Sequence, residues 1–100
     1  MAQGKVKERV RGRNNMADPP QYVVVFHNDD VTTMEFVILI LITVFFYDES
    51  KAVETMLTIH NRGSAAVGKF ELDIAQSKAM KVRSLARREG FPLKVTVEEG

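Results

Sequence analysis

The stretch HNDDVTTMEFV, residues 27–37, decides the fold because it joins a strand to a helix through a polar corner. The apolar run YVVVF, residues 22–26, comes before it and is rich in β-branched and aromatic residues, which favour a strand. Thr32 and Glu35 have the spacing of a capping box, in which a hydroxyl and a carboxylate bond the free N–H groups of a helix start. An exposed corner between two rigid elements is a good position for a recognition site.

The side chains of this corner are rich in hydrogen-bond acceptors and carry no positive charge. Asn28, Asp29 and Asp30 carry carbonyl and carboxylate oxygens, and no Lys, Arg or Gly stands among them. A phosphate site uses backbone donors and positive charge at a helix start. The corner therefore predicts a site for a cation or for a group rich in hydrogen-bond donors.

Length, charge and cysteine content narrow the class of protein. One hundred residues allow one domain, and the net charge of +1 is unevenly distributed. Residues 1–18 contain five basic and two acidic residues, a charge of +3, which leaves −2 for the remainder. We predict a flexible basic N-terminal extension over residues 1–18 and a folded core over residues 19–100. The absence of cysteine excludes disulfides, thiolate metal sites and a cysteine nucleophile, and it fits a reducing cytoplasm.

The longest apolar run extends from Phe36 to Tyr47, between the charged residues Glu35 and Asp48. It is too short to span a membrane, because a spanning helix needs about 20 apolar residues. It also follows a strand far from the N-terminus, where a signal peptide is not expected. We therefore expect no association with a membrane.

The spacing of apolar residues predicts the element order β-α-α-β-α-β. The expected elements are a strand over residues 22–26, a helix over 34–46, a helix capped by Asp48 and Gly63, a strand over 64–70 with a bulge near Gly68, a helix over 72–88 and a strand over 93–97. The predicted inward residues are Phe36, Val37, Ile40, Leu41 and Val44 in the first helix and Leu72, Ala75, Ala79, Val82 and Ala86 in the third. The fold class is α+β, a small two-layer domain with a three-stranded antiparallel sheet packed against three helices.

The corner and His60 form the main candidate site. If the first two helices make a hairpin, His60 returns towards Asn28 and Asp29, with apolar walls from Met34, Met56 and Ile59. A primary ammonium has three donors and no acceptor, so it suits these oxygens and a neutral imidazole nitrogen. The α-amine of a protein chain is mostly charged at neutral pH, because its pKa is about 8. The alternative is a surface histidine at a helix end and an ordinary Asn-Asp-Asp turn.

Three other functions are open on the residues alone. A metal site built from His27, Asp29, Asp30 and His60 lacks the spacing of an EF-hand or of a His-x-x-x-His pair. Catalysis is disfavoured because no serine stands in a nucleophile-elbow context. A basic surface on the third helix suggests nucleic acid, but its acidic neighbours favour a solvated face. The basic residues of that surface are Lys78, Lys81, Arg83, Arg87 and Arg88. We expect no enzymatic activity, no cofactor, no metal and no nucleic-acid partner.

The block NDDVTTMEFV, residues 28–37, stands together with Met56-x-x-Ile59-His60 and with Gly63 and Gly68. These residues resemble the ClpS adaptors, and the resemblance covers residues 19–97. ClpS proteins are N-recognins of bacteria and plastids that deliver N-degron substrates to the ClpA/ClpC-type AAA+ unfoldase of the Clp protease. The resemblance implies an adaptor without catalytic activity, in a bacterial cytoplasm rather than a plastid.

The resemblance also implies roles for individual residues, and a substrate whose first residue is Leu, Phe, Tyr or Trp. The matches to the family's α-amine contacts are Asn28, Asp29 and His60. The matches to its side-chain pocket are Asp30, Thr32, Met34, Val37, Met56, Ile59 and Leu93. Met34 would disfavour β-branched first residues, Asp73 and Lys78 would face the unfoldase, and the N-terminal extension would serve substrate handover.

The first helix departs from the family pattern. Leu39 and Ile42 stand where members commonly carry polar residues, and with Glu35 and Phe46 they have the spacing i, i+4, i+7, i+11. Such an exposed apolar stripe predicts self-association through Leu39, Ile42 and Phe46, or a partner surface absent from other members. A second functional hypothesis is an interaction domain of the same fold that docks the unfoldase without recognising N-terminal residues.

Overall fold

A computed structural model describes residues 19–100, and the predicted extension over residues 1–18 lies outside these described residues. The elements are β1 (Gln21–His27), α1 (Met34–Thr43), α2 (Glu49–Arg62), β2 (Ser64–Glu71), α3 (Leu72–Arg88) and β3 (Lys94–Glu99). The predicted fold class, with three helices, three antiparallel strands and the order β-α-α-β-α-β, is confirmed.

The three strands form one antiparallel sheet in the order β2-β1-β3. β1 is therefore the central strand, and its register with β2 changes halfway along. Val24 pairs with Gly68, but the next residue, Val25, pairs with Ala66, so that Val67 is an extra residue in β2. This irregularity lies beside Gly68, where the sequence predicts a bulge.

The helices pack on the sheet and bury an apolar core. Val24 and Phe26 of β1 and Leu41 of α1 are fully buried, and each contributes about 1.5–3 kcal/mol through burial. The rings of Phe26 and Phe45 meet edge to face with centroids 5.6 Å apart. The predicted inward residues of α1 and α3 are buried, with one exception. Leu72 is 41% exposed, because it is the first residue of α3 and precedes the part of the helix that packs on the sheet.

α1 ends at Thr43, three residues before the predicted end at Phe46. The apolar sequence contains no stop signal, but the burial of Phe45 in the core turns the chain at this point. Phe46 takes a left-handed conformation with φ of 60°, which costs a bulky residue about 1–3 kcal/mol. The turn is stabilised by Tyr47, whose N–H donates to the Leu41 carbonyl at 3.0 Å. Within residues 19–100, neither α1 nor another helix is long and apolar enough to cross a membrane.

The N-cap of α1 is Thr33, not Thr32 as the capping-box pattern predicts. Thr33 Oγ1 accepts a hydrogen bond from the Phe36 N–H at 3.2 Å. The hydroxyl of Thr32 instead donates to the carboxylate of Asp29 at 2.8 Å. Either threonine could cap the helix by its chemistry, and the turn that Asp29 makes selects the second.

α2 begins and ends where the sequence predicts. Asp48 is its N-cap and accepts a hydrogen bond from the Lys51 N–H at 2.8 Å. Gly63 is its C-cap, in a left-handed conformation with φ of 94° that glycine adopts without steric cost. The sharp stop at Gly63 allows β2 to begin at once with Ser64, which pairs with His27 of β1.

Candidate functional site

A hydrogen bond joins the polar corner to the end of α2. The N–H of Asn28, the first residue after β1, donates to the carbonyl of Gly63 at 2.8 Å. His60 lies in the last turn of α2, three residues before Gly63, the C-cap of this helix. The hydrogen bond and the pairing of β1 with β2 therefore bring His60 to the same side of the molecule as Asn28.

Asp29 organises the corner through three hydrogen bonds. Its Oδ1 accepts from the N–H groups of Val31 and Thr32 at 2.8 and 2.7 Å, and its Oδ2 accepts from Thr32 Oγ1 at 2.8 Å. Partial burial raises the pKa of Asp29, but the hydrogen bonds from Thr32 and Val31 outweigh it, so that the pKa lies below its usual value. Asp29 is thus an ionised turn-former, with acceptor capacity left on Oδ2 for a ligand.

The corner, the start of α1 and the end of α2 form a cavity of about 210 Å³. Its lining residues are Asn28, Asp29, Asp30, Thr32, Thr33, Met34, Val37, Met56, Ile59 and His60. Val37, Met56 and Ile59 are buried, whereas Asn28 and His60 are exposed. The volume is below the roughly 300–1,000 Å³ of pockets for drug-sized ligands, and it suits one side chain.

Two kinds of surface meet in this cavity. Asn28, Asp29 and Asp30 contribute hydrogen-bond acceptors to the same cavity as the His60 imidazole. The lining contains no lysine or arginine. The buried part of the lining is apolar. A ligand that satisfies both surfaces carries a positively charged donor beside an apolar group. A primary ammonium next to a hydrophobic side chain meets this description.

Nine of the ten residues predicted for the substrate site line the cavity. The tenth, Leu93, is buried in the core immediately before β3 and is not among the lining residues. Thr33 also lines the cavity although it is not among the predicted residues, because it caps α1 beside the corner. Its place directly before the helix was the available signal. The roles of these residues in binding stay predictions.

The residues of the metal hypothesis are not gathered into one cluster. His27 belongs to β1, and its Nε2 lies 2.8 Å from Thr96 Oγ1 on the neighbouring strand β3, away from the cavity lining. Over residues 19–100, no group of three or more histidine, aspartate and glutamate side chains is placed to hold a metal ion.

The two residues expected to face an unfoldase have different surroundings. Asp73 is exposed in the first turn of α3, and its carboxylate accepts a hydrogen bond from the next N–H at 2.9 Å. Lys78 Nζ donates to the Val44 carbonyl at 2.8 Å and lies 5.1–5.5 Å from the centroids of three phenylalanine rings. Lys78 therefore stabilises the end of α1, where a positive charge complements the helix dipole. Its part in docking stays a prediction.

Comparison with known proteins identifies the family. A family model described as ATP-dependent Clp protease adaptor protein ClpS matches residues 17–96. The ClpS adapter protein of Desulforapulum autotrophicum is 52% identical over 81 residues, which cover 81% of this chain and 78% of that protein. The ClpS adapter protein of Clostridium acetobutylicum is 41% identical over 92 residues, which cover 92% of this chain and 91% of that protein.

A solved structure supports the same assignment. The structure of Agrobacterium tumefaciens ClpS2 bound to L-phenylalaninamide is 41% identical in sequence and superposes with a TM-score of 0.80. The match covers 83% of this chain and 100% of that chain. The fold and these matches define an adaptor of the ATP-dependent Clp protease. The chain belongs to the ClpS family, as the resemblance of its sequence indicates, and ClpS is an adaptor family rather than a catalytic one.

Proposed function

We propose that this adaptor binds proteins whose first residue is a bulky hydrophobic one, Leu, Phe, Tyr or Trp, and delivers them to a ClpA/ClpC-type AAA+ unfoldase. The observation that carries the proposal is the cavity at the corner, in which acceptor groups stand beside a buried apolar surface. The free α-amine and the side chain of a first residue are attached to the same carbon atom, so both can enter one small cavity. The cytoplasmic location expected from the sequence stays part of this proposal.

The α-amine would meet the polar part of the cavity. The amide oxygen of Asn28, a neutral nitrogen of His60 and the remaining acceptor capacity of Asp29 offer three partners for the three donors of an ammonium, directly or through water. The negative charge of Asp29 also favours a cation at this position. An acetylated N-terminus has neither the charge nor the three donors.

The first side chain would meet the apolar part of the cavity. Val37, Met56 and Ile59 form a buried surface, and Met34 is 45% exposed in the first turn of α1. A flexible methionine at this position would contact a side chain branched at Cβ and so disfavour Ile and Val as first residues. The ligand of the Agrobacterium ClpS2 structure, L-phenylalaninamide, has this combination of a free α-amine and an aromatic side chain.

The size of the cavity is compatible with useful affinity. Burial of a Leu or Phe side chain contributes about 1.5–3 kcal/mol. Each hydrogen bond to the charged amine contributes about 1.5–3 kcal/mol. After the cost of ordering the peptide, a dissociation constant in the micromolar range, about −8 kcal/mol, is expected. No reaction is needed, because tethering alone raises the concentration of substrate at the unfoldase.

The experiment that tests the proposal is peptide binding across first residues with free and blocked amines. Peptides that begin with free Leu or Phe should bind, and their N-acetylated twins should not. A Met34→Ala variant should additionally bind peptides that begin with Ile or Val. Equal binding of free and acetylated peptides would exclude the amine site, and unchanged rejection of Ile and Val would exclude the selective role of Met34.

The second candidate is an interaction domain that docks the unfoldase without reading the first residue. The exposed Asp73 at the start of α3 and a neighbouring hollow lined by Pro19, Tyr22 and Gln76 favour a protein-docking surface in that region. If this were the whole function, a complex with the unfoldase would form normally while no peptide bound at the corner. Loss of docking in an Asp73→Lys variant that still binds Leu peptides would separate the two surfaces.

A further inference from the structure

An apolar stripe follows the solvent side of α1 and the turn after it. Leu39 is 54% exposed and Phe46 is 80% exposed, with the half-buried Ile42 between them and the exposed Glu35 at the start. We call Glu35, Leu39, Ile42 and Phe46 the α1 stripe. None of these four residues lines the cavity at the corner, so the α1 stripe is separate from the proposed peptide site.

A groove of about 460 Å³ lies beside the α1 stripe, between α1 and the end of α3. Its lining residues are Thr33, Glu35, Phe36, Leu39, Ile40, Thr43, Leu85, Arg88, Glu89 and Phe91. The rings of Phe36 and Phe91 meet edge to face there, with centroids 5.1 Å apart. We call this hollow the α1–α3 groove. Leu39 and Glu35 belong to both the groove and the stripe, whereas Phe46 lies beyond the other end of α1.

The conformation of Phe46 presents a ring to solvent. Phe46 is the one non-glycine residue within 19–100 that has a positive φ, and this left-handed backbone aims its side chain outward. Strained residues of this kind concentrate at binding and functional sites. The molecule therefore carries an exposed aromatic ring at one end of the α1 stripe and a groove along α1 whose aromatic residues, Phe36 and Phe91, lie towards the other end.

Leu39 and Ile42 lie about one turn apart on the solvent side of α1. A second copy in antiparallel orientation can therefore align Leu39 with Ile42, which brings Phe46, in the turn beyond the helix end at Thr43, to the start of the partner's α1 near Glu35. We propose that a second copy of this chain covers the α1 stripe in a two-fold symmetric dimer. Phe46 of each copy inserts into the α1–α3 groove of the other, which makes the interface isologous and closed.

The charges at the two ends of the α1 stripe favour this orientation. Lys78 Nζ lies 5.1 Å from the centroid of the Phe46 ring, so a positive charge stands beside the ring at this end of the α1 stripe. In the antiparallel dimer this ammonium comes beside Glu35 of the second copy, at the edge of its groove. A parallel arrangement would instead bring Lys78 beside Lys78 and Glu35 beside Glu35, and like charges oppose association.

The expected dimer is weak. α1 has 10 residues and is about 15 Å long, so two such helices bury less than the roughly 1,200–2,000 Å² of a standard interface. The dimer should therefore form at high protein concentration and dissociate on dilution. The core of the monomer does not need the dimer, because Leu39 and Phe46 are exposed and only Ile42 of the α1 stripe packs against the core.

Sedimentation velocity of the full chain from low micromolar to near-millimolar concentration tests the proposal. We expect a monomer–dimer equilibrium that Phe46→Gly weakens at least about tenfold, because two buried rings are lost per dimer. Glycine suits the left-handed backbone, so this variant keeps the fold. Leu39→Glu should weaken the dimer similarly, whereas Met80→Ser, at a 65% exposed site outside the groove, should not. A monomer at every concentration, larger aggregates, or a dimer insensitive to both stripe variants would overturn the proposal.

Cross-linking tests the orientation, because the chain contains no cysteine. Equal amounts of Leu39→Cys and Ile42→Cys protein are mixed and oxidised at high concentration. The antiparallel dimer should yield mainly the mixed disulfide between positions 39 and 42. A predominance of disulfides between identical variants would overturn the antiparallel register.

Discussion

The two ends of α1 are built in opposite ways. At the start, side chains close in sequence supply the hydrogen bonds: Thr33 caps the helix and Asp29 holds the turn before it. At the end, no basic residue occupies the last turn of α1. The Val44 carbonyl instead accepts a hydrogen bond from Lys78 of α3, which is distant in the sequence. The start is polar, locally specified and forms a cavity. The end is apolar and strained, and it depends on tertiary partners.

The two ends of α1 therefore suit different kinds of contact. Local hydrogen bonds make the start of α1 rigid without help from the core, which suits a site that must present acceptors in fixed positions. The apolar end leaves Phe46 exposed, and an exposed aromatic ring suits apolar contacts rather than selective polar recognition.

Replacement of Asp29 by alanine should disturb the start of α1 most strongly. It removes three hydrogen bonds and leaves the N–H groups of Val31 and Thr32 without their partner, at a cost of about 2 kcal/mol. Urea unfolding should show the loss of stability, and binding of a Leu peptide should fall in parallel. Full stability in Asp29→Ala would show that the corner does not depend on this turn.

Asn28→Ala and His60→Ala should affect binding more than folding, because both side chains are exposed. Each should weaken the binding of a free-amine peptide by at least about 1 kcal/mol, with little change in unfolding. Leu57→Ala, at an exposed position of α2 outside the cavity, is the matched control. Equal effects of all three variants on affinity would contradict a specific amine site.

Lys78→Met should destabilise the end of α1 from a distance. The variant keeps an apolar stem against the phenylalanine rings but removes the hydrogen bond to Val44, which should cost about 1 kcal/mol. The loss should appear in urea unfolding and leave peptide affinity unchanged. A matched Lys81→Met variant removes an exposed charge from the same helix and should have almost no effect.

Phe46→Gly should stabilise the monomer, in contrast to most substitutions. Glycine releases the strain of the left-handed backbone, and the exposed ring contributes little to the core, so a gain of about 0.5–1 kcal/mol is expected. Phe46→Ala removes the ring but keeps Cβ, and it should give a smaller change. Unfolding at low protein concentration, where any dimer is dissociated, separates this effect from association. Equal stability of the two variants would show that the backbone is not strained.

Acid should weaken the start of α1 by the smallest of these effects. The pKa of Asp29 is lower in the folded protein than its usual value, so its contribution is present above that value. The contribution is lost as the pH falls from the usual value through the lowered folded one. The difference in unfolding free energy between the wild type and Asp29→Asn should therefore be constant at neutral pH and shrink below about pH 4. A difference independent of pH would contradict the lowered pKa.

Much of the fold and the cavity could be predicted because capping residues and apolar periodicity specify them locally. α2 begins after Asp48 and ends before Gly63, as expected. The acceptor-rich corner and His60 line the same cavity, as a hairpin of the first two helices requires. The wrong predictions share one cause. Thr32 and Leu72 fit the local periodicity of a cap and of an inward face, but hydrogen bonding to Asp29 and the position of the helix start decide otherwise.

The sequence alone determined the order of elements, the buried faces and the chemistry of the corner, because each follows from periodicity or from a side chain acting on its neighbours. Tertiary contacts were needed to place the turn at Phe46, where Phe45 enters the core and Lys78 of α3 donates to the Val44 carbonyl. This outcome depends on contacts between residues far apart in the chain, and the free energy of such contacts is not encoded in any local pattern.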